Sequence, residues 1–185
     1  MRVISGLKKG HKLKAPKGVD VRPTEDRIKE SLFNILNHID EDSIVLDAFA
    51  GSGSIGIEFL SRGAKLCYFV DNSKDSIALV KENLVHTKLL EQGVILKNDT
   101  IIEIKNFGGK NITFDYIYLD PPFRQPDLIN GLLEAINTNK ILDNEGIIII
   151  EHEKELKLED KLYDYEKTDY RRYGSKSLSF YKKSC

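Results

Sequence analysis

The residues best suited to chemistry stand together near the middle of the chain, directly after a predicted buried strand. The strand is 114–119, and the tetrapeptide that follows it is Asp120, Pro121, Pro122 and Phe123. The two prolines fix φ and remove two backbone donors, so the tetrapeptide presents a carboxylate and rigid carbonyl acceptors. Phe123 adds a flat surface for stacking. An exocyclic amine on a nucleobase donates at its hydrogens and stacks through its ring, so it matches both elements.

A glycine-rich loop after an earlier predicted strand indicates a cofactor site. Gly51, Gly53 and Gly56 have the spacing G-x-G-x-x-G, and Asp71 stands 20 residues after Gly51, as in dinucleotide-binding folds. This chain differs from dinucleotide-binding folds in having Asp47 at the end of the predicted strand that leads into the loop. A carboxylate there suits a cation or an amine better than a pyrophosphate. S-adenosylmethionine carries a sulfonium, an amino group and a ribose, and no phosphate. It is therefore the expected cofactor, and a nicotinamide oxidoreductase is the alternative.

Polar residues at the ends of the predicted strands supply the other candidate contacts. Asp47 would face the amino acid end of the cofactor, and Asp71 would accept hydrogen bonds from the ribose hydroxyls. Asn98 and Asp99 would meet the adenine amine, or they would only cap the following helix. Because ligands bind at the carboxyl ends of strands in open α/β sheets, we expect these residues and Asp120 to share one edge and one pocket. The third glycine of the loop is expected to serve only close helix packing.

The elements that must hold these residues alternate between strand and helix. Near-continuous apolar segments predict the strands, and helical spacing with capping residues predicts the helices. The predicted strands are 44–47, 66–70, 94–96, 114–119 and 147–150, and the helices start near Thr24, Ser54, Ser73, Thr100 and Asp127. Gly63 is expected to end the helix from Ser54, and residues 107–111 are expected to form a loop. This alternation predicts an α/β fold with a doubly wound, mostly parallel sheet.

Both ends of the chain depart from this alternation. Residues 2–15 alternate weakly around a Lys9-Gly10 turn and predict a β-hairpin, and residues 163–182 predict an antiparallel C-terminal hairpin strand. The net charge is −1, but residues 1–22 hold seven basic residues against one acidic residue. We therefore predict a basic N-terminal β-hairpin arm, residues 1–22, and a main domain, residues 23–185. Such an arm favours contact with nucleic acid.

Composition narrows the class of protein further. The chain has 185 residues, enough for one sizeable core, and no apolar segment long enough for a membrane span or a signal peptide. Its two cysteines and four histidines are scattered, so neither a disulfide framework nor a metal site is predicted. We expect a cytoplasmic monomer that needs no membrane and no metal.

Several segments together resemble one family. The tetrapeptide and the pattern Asp47-x-Phe49-x-Gly51-x-Gly53 resemble class I methyltransferases that modify exocyclic amino groups. The segments that narrow the resemblance to the RsmD family are 2–6 (RVISG), 22–34 (RPTEDRIKESLFN), 47–53 (DAFAGSG) and 60–64 (LSRGA). That family methylates guanine N2 in bacterial small-subunit ribosomal RNA. The resemblance covers nearly the whole chain and implies a Rossmann-like class I methyltransferase domain for residues 23–185.

The resemblance also completes the set of predicted site residues. It implies that Arg22 and Thr24 border the cofactor and substrate pocket. The predicted cofactor-binding residues are Thr24, Asp47, Phe49, Gly51, Ser52, Gly53, Asp71, Asn72, Asn98 and Asp99. The predicted catalytic residues are Asp120, Pro121, Pro122 and Phe123, and the predicted RNA-binding residues are Arg2, Lys8, Lys9, Lys12 and Arg22.

The expected partner is small-subunit ribosomal RNA, either naked or within an assembled or partly assembled subunit. The target base must leave its stack to reach Asp120, so we expect base flipping or an already exposed nucleotide. Besides the nicotinamide oxidoreductase, two alternatives remain at this point. One is the same chemistry on DNA, although 185 residues leave no room for a separate DNA-recognition domain. The other is a non-catalytic RNA-binding protein of ribosome assembly.

Overall fold

Helices and strands alternate along the chain in the computed structural model, which describes residues 1–16, 23–122 and 126–184. Side chains are described from Asp26 onward in the first helix and from Asp127 onward in the fifth. The helices of the described part are α1 (Pro23–Leu36), α2 (Ser54–Ser61), α3 (Lys74–Thr87), α4 (Thr100–Gly109) and α5 (Pro126–Asn139). Its strands are β1 (Ile44–Asp47), β2 (Leu66–Asp71), β3 (Gly93–Lys97), β4 (Phe114–Leu119), β5 (Leu142–Glu153), β6 (Lys161–Leu162), β7 (Tyr165–Tyr173) and β8 (Lys176–Lys183).

The chain forms two compact units, Met1–Asp99 and Thr100–Cys185. In unit one, the three strands lie in the order β3-β2-β1 and all pair in parallel. Their side chains are apolar on both faces, and Val45, Leu46 and Phe69 are fully buried. Parallel strands that are covered on both faces need such near-continuous apolar segments, which is why the sequence predicted them correctly.

The N-terminal residues of unit one form a hairpin that packs on α2. Arg2 and Lys12 form an antiparallel bridge, and the N–H of Val3 donates to the carbonyl of His11. Gly6 has φ of +79°, and an added Cβ there would lie 1.8 Å from the carbonyl oxygen of Ser61. No residue with a side chain fits such an approach. The predicted hairpin is therefore confirmed over the described residues 1–16, while its assignment as a separate arm over residues 1–22 stays a prediction.

Unit two contains a mixed set of strands in the order β4-β5-β8-β7-β6. β4 and β5 pair in parallel, with Leu119 opposite Ile150, and β8 then pairs with β5 in the antiparallel direction. β7 and β8 form the predicted C-terminal hairpin, and β6 adds a short antiparallel pair with β7. An α/β fold with parallel strands and an antiparallel C-terminal hairpin is thus confirmed.

Two sequence-based boundaries were wrong. The predicted loop at 107–111 is helical through Gly109, because α4 continues to that residue. The buried ring of Phe107 packs edge-on against Phe114 at 5.0 Å, and an added Cβ on Gly108 would lie 2.7 Å from Cβ of Asn139. Packing therefore outweighs the low helix propensity of the two glycines. The fifth strand is also longer than predicted, because β5 extends from Leu142 to Glu153.

None of the described helices is both long enough and apolar enough to cross a membrane.

Candidate active site

Asp47 ends β1 and lies at the root of the glycine loop, as the sequence predicts. Its side chain is buried, and its Oδ2 accepts a hydrogen bond of 3.0 Å from the N–H of Gly56. Gly56 has no room for a side chain, because an added Cβ would lie 2.3 Å from a ring atom of Phe69 and 2.6 Å from Sγ of Cys67. The structure thus packs Gly56 closely, as predicted, and Asp47 ties the first turn of α2 to β1. Contact between Asp47 and the amino group of the cofactor stays a prediction.

Burial also sets the protonation of Asp47. Loss of solvation raises the pKa of this carboxyl group to about 7, although the hydrogen bond from Gly56 opposes the shift; the charge of Asp71 raises it further. The native state therefore holds a proton that the unfolded chain releases near pH 4. Because the native state binds more protons than the unfolded state across this window, the free energy of unfolding falls as pH rises from about 4 to about 7.

Asp47→Asn is expected to remove this part of the pH dependence. The asparagine oxygen still accepts from the N–H of Gly56, but the side chain no longer titrates. Between pH 4 and pH 7 the variant should gain stability relative to wild type by about 1 kcal/mol per pH unit. Urea unfolding of both proteins at several pH values measures this difference. A difference that does not change with pH would show that Asp47 is ionised throughout.

Asp71, at the end of β2, holds the loop from Gly51 to Gly53. Both glycines have positive φ, +54° and +77°, which residues with side chains rarely adopt. Oδ2 of Asp71 accepts from the N–H of Gly51 at 2.9 Å, and Oδ1 accepts from the N–H of Ser73 at 2.8 Å. Each carboxylate oxygen has two lone pairs, so Asp71 retains acceptor capacity for ribose hydroxyls while it holds the loop.

A side chain that was not predicted from the sequence, that of Asn83, also contacts this loop. Asn83, on α3, is buried, and its Nδ2 donates to the carbonyl of Ser52 at 2.8 Å and to that of Lys14 at 3.0 Å. Its Oδ1 accepts from the N–H of Lys14 at 2.8 Å. Oγ of Ser52 donates to Sδ of Met1 at 3.3 Å. The N-terminal hairpin and the glycine loop are thus joined through Asn83, which only its tertiary contacts reveal.

The other predicted cofactor-binding residues of unit one lie in or beside the turns that follow its strands. The N–H of Asn98 donates to the carbonyl of Asp71 at 3.2 Å, so the structure brings these two residues together. Oδ1 of Asn98 accepts from the N–H of the exposed Asp99 at 2.9 Å, which is a turn contact. Phe49 is half-buried and Asn72 is exposed.

Asp120 directly follows β4, and its side chain is 41% exposed, unlike that of the buried Asp47. Its Oδ1 lies 3.5 Å from Nζ of Lys176 on β8. The same Nζ donates to Oε1 of Glu151 on β5 at 2.7 Å. Sequence reasoning missed both partners, since they stand 31 and 56 residues after Asp120. The pairing of β5 with β4 and with β8 brings Glu151 and Lys176 close to Asp120.

The structure does not describe some of the predicted site residues. Arg22 and Phe123 lie outside the described residues, and so does the side chain of Thr24. Within the predicted catalytic tetrapeptide, Pro121 is half-buried and Pro122 is exposed. The roles assigned to these residues stay predictions.

A buried ion pair anchors the predicted RNA-binding hairpin. Nζ of Lys29, on α1, donates to the carbonyl of Arg2 at 2.5 Å and to Oγ of Ser54 at 2.9 Å, and lies 3.6 Å from Oε2 of Glu58. The carboxylate of Glu58 accepts from the N–H groups of Ile4 and Ser5 at 2.8 and 3.0 Å. Burial lowers the pKa of Lys29, while the charge of Glu58 acts in the opposite direction. The sequence alone did not reveal this pair.

The hairpin that this pair anchors exposes its positive charges. Arg2, Lys9 and Lys12 are exposed, and Lys8 is half-buried. The remaining basic residue of the hairpin, Lys14, is exposed and forms an ion pair with Glu82. The exposed side chains of Arg2, Lys9 and Lys12 are therefore available to phosphate groups. The hairpin backbone is held through the N–H groups of Ile4 and Ser5, which donate to Glu58.

The site in unit one fits S-adenosylmethionine by the chemistry of its donors and acceptors. An added Cβ on Gly51 would meet no described heavy atom within 4 Å, so there is space beside the loop. β1 and β2 both end in an aspartate: Asp71 can accept from ribose hydroxyls and its charge opposes a pyrophosphate, while a cationic group beside Asp47 would favour the ionised form of that carboxyl group. This agrees with the cofactor predicted from the sequence.

The match to a family model and the similarity to individual proteins indicate the same family. The sequence model of the family described as "Conserved hypothetical protein 95" matches residues 1–182. YlbH of Bacillus subtilis (strain 168) is 39% identical, over 99% of this chain and 99% of that protein. "Ribosomal RNA small subunit methyltransferase D" of Haemophilus influenzae (strain ATCC 51907 / DSM 11121 / KW20 / Rd) is 36% identical, over 84% of this chain and 80% of that protein.

A solved structure extends the similarity to the whole fold. The structure of yhhF from Escherichia coli superposes with a TM-score of 0.86 and 26% identity, over 100% of this chain and 98% of that one. The predicted Rossmann-like fold class is therefore confirmed. The chain belongs to the "Conserved hypothetical protein 95" family, and its predicted membership of the RsmD family is confirmed.

Proposed function

We propose that this protein transfers the methyl group of S-adenosylmethionine to the exocyclic N2 amine of a guanine in small-subunit ribosomal RNA. One observation carries the proposal. A half-exposed carboxylate, Asp120, directly follows a buried strand and precedes two prolines, in a chain whose Haemophilus relative is named for methylation of small-subunit ribosomal RNA. The carboxylate is the acceptor that an exocyclic amine needs.

The tetrapeptide acts by binding and orienting the amine. Its nitrogen lone pair is delocalised into the base, so it attacks a methyl group only when its N–H bonds are turned out of the ring plane. Asp120 and the carbonyl of Pro121 accept those two hydrogen bonds, and Phe123 stacks on the base. Positioning of this kind contributes several kcal/mol to lowering the barrier. As the new N–C bond forms, the bond between that methyl carbon and the sulfonium sulfur would break and leave a neutral thioether. The amine becomes cationic in this step, and it then releases its proton to solvent.

The residues of unit one bind the cofactor. Bound S-adenosylmethionine supplies an electrophilic methyl group on its sulfonium. Asp71 accepts from the ribose hydroxyls, and the backbone of the Gly51 to Gly53 loop approaches the cofactor closely. Asn98 and Asp99 border the adenine, and Thr24 and Asp47 border the amino acid end. Phe49, Ser52 and Asn72 complete the pocket wall.

The exposed basic residues of the N-terminal hairpin form the RNA contact. We expect Lys9→Ala/Lys12→Ala to weaken binding of small-subunit RNA and to reduce the slope of log affinity against log salt by about 1 to 2, because two phosphate contacts are lost. Filter binding over a series of salt concentrations measures both quantities. Lys110→Ala/Lys140→Ala removes two exposed lysines of unit two and serves as the matched control. If the slope of log affinity against log salt were the same for the hairpin variant and wild type, the RNA contact would lie elsewhere on the protein.

Transfer of labelled methyl from S-adenosylmethionine tests the function directly. The substrates are unmodified small subunits, their naked RNA and duplex DNA, and the labelled nucleoside is identified after digestion. N2-methylguanosine from either RNA sample supports the proposal, and the better of the two samples defines the state of the substrate. Label in the DNA sample and not in the RNA samples would show that DNA, rather than RNA, is the substrate. No label in any sample, together with RNA binding, would favour a non-catalytic assembly protein.

The cellular setting is part of the same proposal. The relatives named for ribosomal RNA methylation are bacterial, and bacterial ribosomes are assembled in the cytoplasm, so we expect this protein to act there. The contacts described above require only one copy of the chain. Sedimentation of the purified protein would measure the oligomeric state, for which we expect a monomer.

A further inference from the structure

Three ionisable side chains and a phenol form a connected cluster around Asp120 in unit two. Lys176 lies between two carboxylates, with Nζ 3.5 Å from Oδ1 of Asp120 and 2.7 Å from Oε1 of Glu151. The hydroxyl of Tyr118 donates to the other oxygen of Glu151 at 2.5 Å. The cluster is graded in exposure, because the side chain of Glu151 is 13% exposed, that of Lys176 20% and that of Asp120 41%.

The strand register determines this arrangement. Leu119 on β4 is paired with Ile150 on β5, so the next residues along the two parallel strands are Asp120 and Glu151. Lys176 is the first residue of β8 and is paired with Glu153. The turn of the β7–β8 hairpin therefore lies at the carboxyl ends of β4 and β5. A one-residue shift of β8 would turn the side chain of Lys176 to the opposite face of the sheet.

The charge of Lys176 is fixed by its two neighbours. Burial lowers the pKa of this ammonium group, but the carboxylates of Asp120 and Glu151 outweigh burial and raise it. Glu151 is in turn held by Tyr118 and Lys176, so it serves as the fixed anchor of the cluster. Asp120 is the more exposed carboxylate and thus the one that a substrate amine can reach.

We propose that Lys176 is a positioning residue for methyl transfer, which holds the Asp120 carboxylate ionised and oriented, with Glu151 as its anchor. The inference rests on the proposed function, because it assigns Asp120 to the amine. The two oxygens of Asp120 offer about four lone-pair directions, so one carboxylate can pair with the ammonium and accept from an amine as well. With all three groups ionised, the cluster carries a net charge of −1, which favours the cationic amine formed during transfer.

Loss of the lysine charge would have a specific consequence. Lys176→Met would remove the positive charge that lies between Asp120 and Glu151, and like charges at close range raise the pKa of one partner. The two carboxylates would then titrate as a coupled pair, so part of the added proton would be found on Asp120. Asp120 would then be ionised only at higher pH.

The test begins with the cofactor-free protein. The carboxyl carbon of Asp120 is followed by ¹³C NMR during a pH titration, and its signal is identified by its loss in Asp120→Asn. In Lys176→Met the titration midpoint is expected to rise by about one pH unit, whereas Lys176→Arg keeps the wild-type midpoint. In Lys176→Met/Glu151→Gln the midpoint returns toward wild type, because the like charge is removed as well. Lys182→Met removes one charge from the same strand and is the matched control.

Kinetics with small subunits supply the second readout. The acid limb of the kcat profile of Lys176→Met should move up by the same amount as the NMR midpoint, while KM for the subunits stays close to wild type. An unchanged midpoint and an unchanged limb would overturn the proposal and leave Lys176 a purely structural role. A higher KM with an unchanged limb would also overturn it, because Lys176 would then be a phosphate contact.

The two proposals fail in different ways. If wild-type protein forms N2-methylguanosine but the Lys176→Met midpoint does not move, the positioning role is wrong and the function stands. If the midpoint moves as expected but wild-type protein methylates no RNA, the electrostatic coupling is real and the proposed function is wrong.

Discussion

Replacement of Asp120 by alanine is expected to lower kcat for RNA methylation by about 10²- to 10³-fold, because the amine loses the acceptor that orients it. Binding of S-adenosylmethionine should be unchanged, since the predicted cofactor contacts lie in unit one. Stability should also change little. Asp120 is 41% exposed, and Lys176 keeps its hydrogen bond to Glu151 when Asp120 is removed.

Single-turnover methylation of small subunits, with calorimetry for the cofactor, measures both effects for Asp120→Ala. Asp120→Asn is the conservative control, because it keeps one acceptor oxygen and should retain an intermediate rate. Wild-type turnover in Asp120→Ala would disprove the role of the tetrapeptide while leaving the fold and the cofactor site intact. A loss of cofactor binding would instead show that the substitution disturbs more than the amine contact.

The largest effect on stability is expected for Glu58→Ala. Its carboxylate is fully buried, forms ion pairs with Lys29 and Arg62, and accepts from the N–H groups of Ile4 and Ser5. Its removal leaves the buried ammonium of Lys29 without its ion-pair partner, with only the weaker effect of the Asp26 charge, and leaves the N–H groups of Ile4 and Ser5 without this acceptor. Loss of one partner of a buried ion pair costs about 3–5 kcal/mol, so we expect a decrease of this size in the free energy of unfolding.

Glu82→Ala is the matched control for Glu58→Ala, because Glu82 pairs with Lys14 in the same unit but is 53% exposed. Exposed pairs contribute about 0–1 kcal/mol, so the control should unfold close to wild type in urea. Hydrogen exchange gives a local readout, in which the amides of Ile4 and Ser5 should exchange faster in Glu58→Ala. Equal stability of the two variants would mean that the hairpin is held by other contacts.

Much of the architecture was predictable because it depends on local and repetitive signals. Apolar segments predicted the bounds of β1 and β4, and the helix starts predicted near Ser54 and Ser73 match α2 and α3, although only Ser73 caps its helix through its side chain. The predicted loop at 107–111 failed for a physical reason. Glycine disfavours a helix locally, but Phe107 and Gly108 gain more from packing on Phe114 and Asn139 than the helix loses.

By itself, the sequence determined the fold class, the family, and which carboxylates end the strands. Such features follow from residue type and spacing. Only the tertiary structure decided which groups contact each of these carboxylates. It buries Asp47 against Gly56, joins Asn83 to the glycine loop, and places Lys176 beside Asp120. These contacts join residues 9, 31 and 56 positions apart in the chain. The register of the strands and the packing of the helices bring such residues together, and the sequence alone does not show these distances.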